Sequence, residues 1–113
     1  DLGEFENSMK CFGALPLQVQ ITELDIHNAD PSEASMDALA ERYEQLFRLF
    51  LDNKKEGKAN VTGVTFWGLH DDITWLTFFR REKSYPLLFD GNLQPKKAYA
   101  AVVQAAEEAA AQK

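Results

Sequence analysis

Two apolar periods alternate along the chain, and the switches between them mark its elements. Over residues 2–13, Leu2, Phe5, Met9 and Phe12 recur at helical spacing with Glu4, Glu6 and Lys10 between them. That spacing predicts a short helix, ended by Gly13 and Pro16. Leu17 to Ile26 is too short and too β-branched for a helix, with Val19, Ile21, Thr22 and Ile26, and reads as a strand. Asp30-Pro31 predicts a helix start, an N-cap followed by proline at the first helical position, with Glu33 in the first turn. Met36, Leu39, Tyr43, Leu46, Phe47 and Phe50 then form an apolar stripe, with Glu41, Arg42, Glu44 and Arg48 on the opposite face. The polar turn from Asn53 to Asn60, which contains Gly57, closes this helix.

Val61 to Gly68 is a second predicted strand, ending in Trp67-Gly68. A loop of about twenty residues follows, longer than compact domains usually allow without a functional reason. Pro95 opens a last helix with Tyr99, Val102 and Val103 on its apolar face. The alanine- and glutamate-rich end, Ala105 to Lys113, is expected to fray into solvent. Strands joined by helical crossovers imply an α/β fold with parallel pairing. Two parallel strands cannot bury both faces and satisfy both edges. Residues 1–113 are therefore expected to form a single incomplete domain that needs further sheet from elsewhere.

Composition narrows the function classes. Two Trp, three Tyr and eight Phe within a 45% hydrophobic chain are ample for a packed core. A net charge of −6 with no block of Lys and Arg argues against nucleic-acid binding. No apolar stretch approaches the roughly 20 residues that cross a bilayer, so no membrane partner is expected. Cys11 is the sole cysteine, lying among Met9, Phe12 and Leu15, and is expected to be a buried, inert thiol. His27 and His70 lack metal-ligand spacing, so neither a metal nor another cofactor is called for.

The candidate chemistry gathers at the strand ends. Strict alternation would put Val19, Ile21, Glu23 and Asp25 on one strand face, with two carboxylates at the C-terminal end. Closed α/β barrels carry catalytic groups at that end. A merely hydrated strand end is the plainer alternative. Trp67 and, further along the loop, Trp75 offer flat indole faces suited to the C–H groups of sugar rings, although both rings could instead belong to a core.

The run Leu17-Gln18-Val19-Gln20-Ile21-Thr22-Glu23-Leu24-Asp25-Ile26 resembles the seventh strand of family 10 glycoside hydrolases. Trp67-Gly68-Leu69-His70-Asp71-Asp72-Ile73-Thr74-Trp75 is similar to the family's eighth strand and its loop, with Thr74 where Ser is usual. Tyr85-Pro86-Leu87-Leu88-Phe89-Asp90 and Pro95-Lys96-Lys97-Ala98-Tyr99 resemble the segment leading into the last helix, with Lys97 at a customary proline. Leu15-Pro16-Leu17 stands where Leu-Gly-Leu is common.

The resemblance implies a partial TIM (β/α)8 barrel made of its C-terminal β/α units, with a complementary N-terminal portion needed to close it. It implies retaining hydrolysis of internal β-1,4 bonds, with xylan or xylo-oligosaccharides as partner and secretion as the setting. By position Glu23 matches the nucleophile. Asp25 matches a supporting residue that orients a histidine from the sixth strand, which this chain lacks. Trp67, Trp75, His70 and Asp71 match the substrate-binding loop, Asp71 more readily as a brace for that loop. Arg80, Arg81 and Lys83 could approach substrate or form a solvated charged loop.

The acid–base glutamate follows an asparagine in the family, and no Asn-Glu pair occurs here. A retaining site needs two carboxyl groups about 5–5.5 Å apart on either side of the sugar. Glu23 and Asp25 lie on one side of it, about 6.5–7 Å apart along their strand. Two other readings remain open at this level: a catalytically inert xylan-binding piece, and a scaffold or interaction domain.

Overall fold

The computed structural model describes residues 1–112. Helix α1 (Leu2–Gly13) leads to strand β1 (Gln18–Leu24), helix α2 (Glu33–Lys55) and strand β2 (Asn60–Phe66), followed by helices α3 (Trp75–Arg80) and α4 (Lys97–Ala111). The two strands pair in parallel as a two-stranded sheet. α2 packs along α4 and against β2, while α1 sits against β1.

The local chemistry of the ends explains most boundaries. Asp1 caps α1, its Oδ1 accepting from the amides of Gly3 at 2.7 Å and Glu4 at 3.3 Å. Gly13 is the last residue of that helix, and the position needs glycine because a Cβ there would overlap the Lys58 carbonyl and the Ala59 Cα. The start of α2 differs from the Asp30-Pro31 expectation. Ser32 is the N-cap, accepting from Ser35 N, and Asp30 braces it from outside through Ser32 N at 2.8 Å and Ser32 Oγ at 2.9 Å. Two side chains able to cap stand two residues apart, and the inner one wins.

The core forms between the sheet and its helices around Met9, Leu39, Tyr43, Leu46, Phe50, Ala59, Val61, Leu88 and Ala98. Tyr43 is fully buried and its hydroxyl donates to the Pro86 carbonyl at 2.6 Å. Phe66 of β2 lies between the Tyr43 and Phe47 rings, at 5.6 and 5.8 Å between centroids. Up to Ala111 the end of α4 departs from the fraying expectation, since Ala105 is buried and the helix continues, while Lys113 lies outside the described residues. Arg48 ties α2 to it, donating to Glu44 at 2.8 Å and Glu108 at 2.5 Å. Cys11 corrects its expectation too: it is exposed, because α1 turns Met9 into the core and leaves Cys11 and Phe12 outside.

Both strands are one to two residues displaced from their predicted limits, and their pairing is not uniform. From Val19 to Gln20 β1 advances one residue while β2 advances two, from Val61 to Gly63. From Ile21 to Leu24 β1 advances three while β2 advances two, from Val64 to Phe66. Each extra residue reverses side-chain parity on its own strand. Val19, Ile21, Leu24 and Ile26 consequently all pack toward the helices, as do Val61, Val64 and Phe66.

The other sheet face carries Gln18, Gln20, Thr22, Glu23, Thr62 and Thr65, every one of them exposed. Among the described residues no strand pairs with either outer edge and no layer covers that face. The sheet is open along both edges and on one face.

Candidate active site

The bulge in β1 decides where the carboxylates go. Strict alternation grouped Glu23 with Val19 and Ile21; instead, Leu24 and Ile26 continue the helix-facing set. Glu23 and Asp25 flank Leu24 and so share the opposite, helix-free face. Parallel pairing puts the C-terminal end of β2 beside them. The Trp67 amide donates to the Leu24 carbonyl at 3.0 Å, extending the ladder one residue past β2 and setting Trp67 across from the two acids. Its ring remains 49% exposed.

Trp75 reaches the same place by another route. The predicted loop contains a helix, α3, whose first residue is Trp75 and whose N-cap is Thr74, accepting from Leu76 N at 3.3 Å. The indole Nε1–H of Trp75 donates to Asp25 Oδ2 at 2.7 Å. Phe79, one turn on, lies tilted against the indole with ring centroids 5.0 Å apart. Partial burial pushes the Asp25 carboxyl above the usual aspartate range, and the nearby Glu23 charge adds to that, while the Trp75 hydrogen bond opposes it. Glu23 itself is exposed and presents its carboxylate to open space.

The remaining candidates occupy different roles. Asp71 is 3% exposed: Oδ1 accepts from Leu87 N at 2.9 Å and Oδ2 from Lys96 Nζ at 2.8 Å. Lys96 also donates to the Tyr85 carbonyl at 3.0 Å. Both Asp71 oxygens are thus engaged inside the protein, an arrangement suited to bracing the loop. His70 is half-buried beside Phe89, with its Nδ1 shielded and without a partner among the described residues.

Lys83 pairs with Asp72 at 2.7 Å, and Arg80 and Arg81 stand exposed at the end of α3. His27 joins Ser84 Oγ and Glu82 Oε1, each at 3.0 Å, fastening the loop to the segment after β1. Lys96 and Ser84 were not singled out as functional from sequence, because nothing local marks a lysine or serine as the partner of a residue far along the chain. Among the described residues no three His, Cys, Asp or Glu side chains converge to hold a metal ion.

This arrangement places an exposed carboxylate and the exposed Trp67 indole at the C-terminal ends of adjacent parallel strands, with Trp75 of α3 hydrogen-bonded to Asp25 nearby. A family model described as glycosyl hydrolase family 10 matches residues 1–105. The chain belongs to glycosyl hydrolase family 10.

Among family members, endo-1,4-beta-xylanase B of Butyrivibrio fibrisolvens is 56% identical over 106 residues, covering 94% of the chain and 17% of that protein. A beta-1,4-xylanase of Dictyoglomus thermophilum is 40% identical over 111 residues, covering 88% and 30%. The crystal structure of xylanase 10B from Thermotoga maritima superposes with a TM-score of 0.89 at 30% identity, covering all of the chain and 34% of its counterpart. The chain therefore spans about a third or less of the length of these relatives. Family 10 folds are TIM barrels, and the open α/β sheet described above is a partial barrel of that kind.

Proposed function

We propose that this chain supplies the nucleophile Glu23 and the sugar-facing rings Trp67 and Trp75 to a retaining endo-1,4-β-xylanase site, completed by an N-terminal barrel portion. The observation that carries the proposal is the placement of Glu23, exposed on the helix-free face at the C-terminal end of β1, beside the hydrogen-bonded Asp25–Trp75 pair. In this mechanism the Glu23 carboxylate attacks the anomeric carbon as the glycosidic C–O bond breaks, giving a covalent glycosyl-enzyme. A carboxylic acid from the N-terminal portion protonates the leaving oxygen. As a carboxylate, it then takes a proton from the water that displaces Glu23. Asp25 cannot replace that acid, because it rises from the same strand on the same side of the sugar as Glu23.

The histidine that Asp25 orients in the family would come from the same N-terminal portion. Xylan and xylo-oligosaccharides are the proposed substrates. Extracellular action is proposed from their polymeric nature, although one solved relative is an intracellular xylanase of Thermoanaerobacterium saccharolyticum. Among the described residues, no helix is long and apolar enough to cross a membrane.

The test is complementation. Mixing the chain with a matching N-terminal barrel portion should produce xylan hydrolysis, and Glu23→Ala should abolish it. Activity that survives the substitution rules out Glu23 as nucleophile. Tight xylo-oligosaccharide binding without hydrolysis in the assembled barrel favours a binding-only role instead.

A further inference from the structure

Trp75 presents a problem of orientation. It opens a helix of only six residues, its ring is 45% exposed, and the Thr74 cap secures its backbone but not its side-chain angles. Phe79 touches one side of the indole, yet Phe79 is itself exposed and cannot serve as a rigid stop. The directional restraint on the ring is the hydrogen bond to Asp25, which spans 50 residues of sequence and joins the loop to β1. A carboxylate acceptor makes such a bond stronger and more sharply oriented than a neutral one.

We propose that Asp25 is the positioning residue for Trp75, fixing through the indole N–H the angle at which that ring meets a sugar lying on Glu23. This rests on the sugar-binding reading of Trp75 given above. Only Oδ2 is engaged by the indole, and among the described residues Oδ1 accepts no hydrogen bond. One carboxylate thus has an oxygen for the tryptophan and another for the incoming histidine. Asp25 thereby couples the platform under the sugar to the support of the nucleophile. The β1 bulge makes this geometry possible, because it turns Leu24 inward and leaves Asp25 on the opposite face, where the Trp75 indole reaches its carboxylate.

Two measurements test the proposal. The chain contains two tryptophans, so when it is 15N-labelled and assembled with an unlabelled N-terminal barrel portion it gives two indole Nε1–H signals, which Trp67→Phe assigns. Asp25→Ala should speed exchange of the Trp75 indole proton by about tenfold, the scale of one charge-assisted hydrogen bond. Asp25→Asn, which keeps an acceptor oxygen, should restore most of the protection. Equal exchange rates in the parent and Asp25→Ala overturn the proposal.

The second measurement is a double-mutant cycle on xylo-oligosaccharide affinity, made in the barrel completed by an N-terminal portion. Asp25→Ala should weaken binding about tenfold when Trp75 is present and by no more than about twofold in Trp75→Phe, which keeps a ring but has no indole donor. Equal losses in both backgrounds mean that Asp25 acts only through the histidine and sink the inference. The exchange experiment needs no hydrolysis, so failure of the Glu23 assignment leaves its outcome unchanged.

Discussion

Removing the Asp71 carboxylate separates a brace from a substrate ligand. Asp71→Ala would leave the Lys96 ammonium, whose side chain is 9% exposed, facing only the Tyr85 carbonyl. It would also leave the Leu87 amide, in a fully buried residue, without its acceptor. Breaking one side of a buried ion pair costs about 3–5 kcal/mol, because the surviving charge keeps its desolvation penalty. The stranded amide belongs to the same network, so its own cost of about 1–3 kcal/mol overlaps that figure and does not simply add to it.

A loss of about 3–5 kcal/mol is therefore expected in urea unfolding of the chain assembled with an N-terminal barrel portion, followed by tryptophan fluorescence. Faster hydrogen exchange at Leu87 should accompany it. Asp71→Asn should lose less, since its carbonyl oxygen can still accept from Leu87. The double substitution Asp71→Leu with Lys96→Met should recover much of the loss, because no buried charge is left alone. The brace is refuted if Asp71→Ala costs under about 1 kcal/mol, the range of ordinary surface changes, while xylo-oligosaccharide affinity in the completed barrel collapses.

Two further outcomes follow from the structure. Tyr43→Phe should cost about 1–3 kcal/mol by stranding the buried Pro86 carbonyl, and in the completed barrel it should leave xylo-oligosaccharide affinity unchanged. A fall in affinity without loss of stability would contradict that assignment. Acid should expose two opposite signs.

Glu6 is held low by Asn53 and Lys10, Asp72 by Lys83, and Glu108 by Arg48 and Gln104. Their stabilisation is present above the ordinary carboxylate pKa and is lost as pH falls through the lowered values. Asp25 is raised by burial, so its ionisation penalises folding at neutral pH, and the penalty is relieved as pH falls through the raised value toward the ordinary one. Asp25→Asn should therefore gain stability at pH 7, and that gain should shrink by about pH 4, near the ordinary aspartate value. A gain that instead grows on acidification, in urea unfolding at the two pH values, contradicts the sign.

Much of the architecture was legible in the residues. The helical stripe from Met36 to Phe50 and the β-branched runs around Ile21 and Val64 report their own periodicity, because burial against one face selects residues at the period of the element. The Glu23 and tryptophan motifs were visible for a related reason: they are local strings. The α3 helix was missed because Trp75 to Arg80 spans too few residues to show a period, and its cap, Thr74, is a single residue. Cys11 was misplaced because its neighbours in sequence are not its neighbours in the packed helix.

The chain's own order of residues carried the α/β alternation, the expectation that two strands do not suffice, and the choice of Glu23 as the candidate carboxylate. Tertiary structure decided the facing. Sheet parity is a property of pairing between strands, and one extra residue in β1 against β2 turned Leu24 inward and Glu23 outward. It likewise decided that Asp71 is held by Lys96 and that Asp25 meets Trp75, contacts across 25 and 50 residues. No local pattern encodes such contacts. They exist only when β1, the loop after β2 and the start of α4 are brought together around one core.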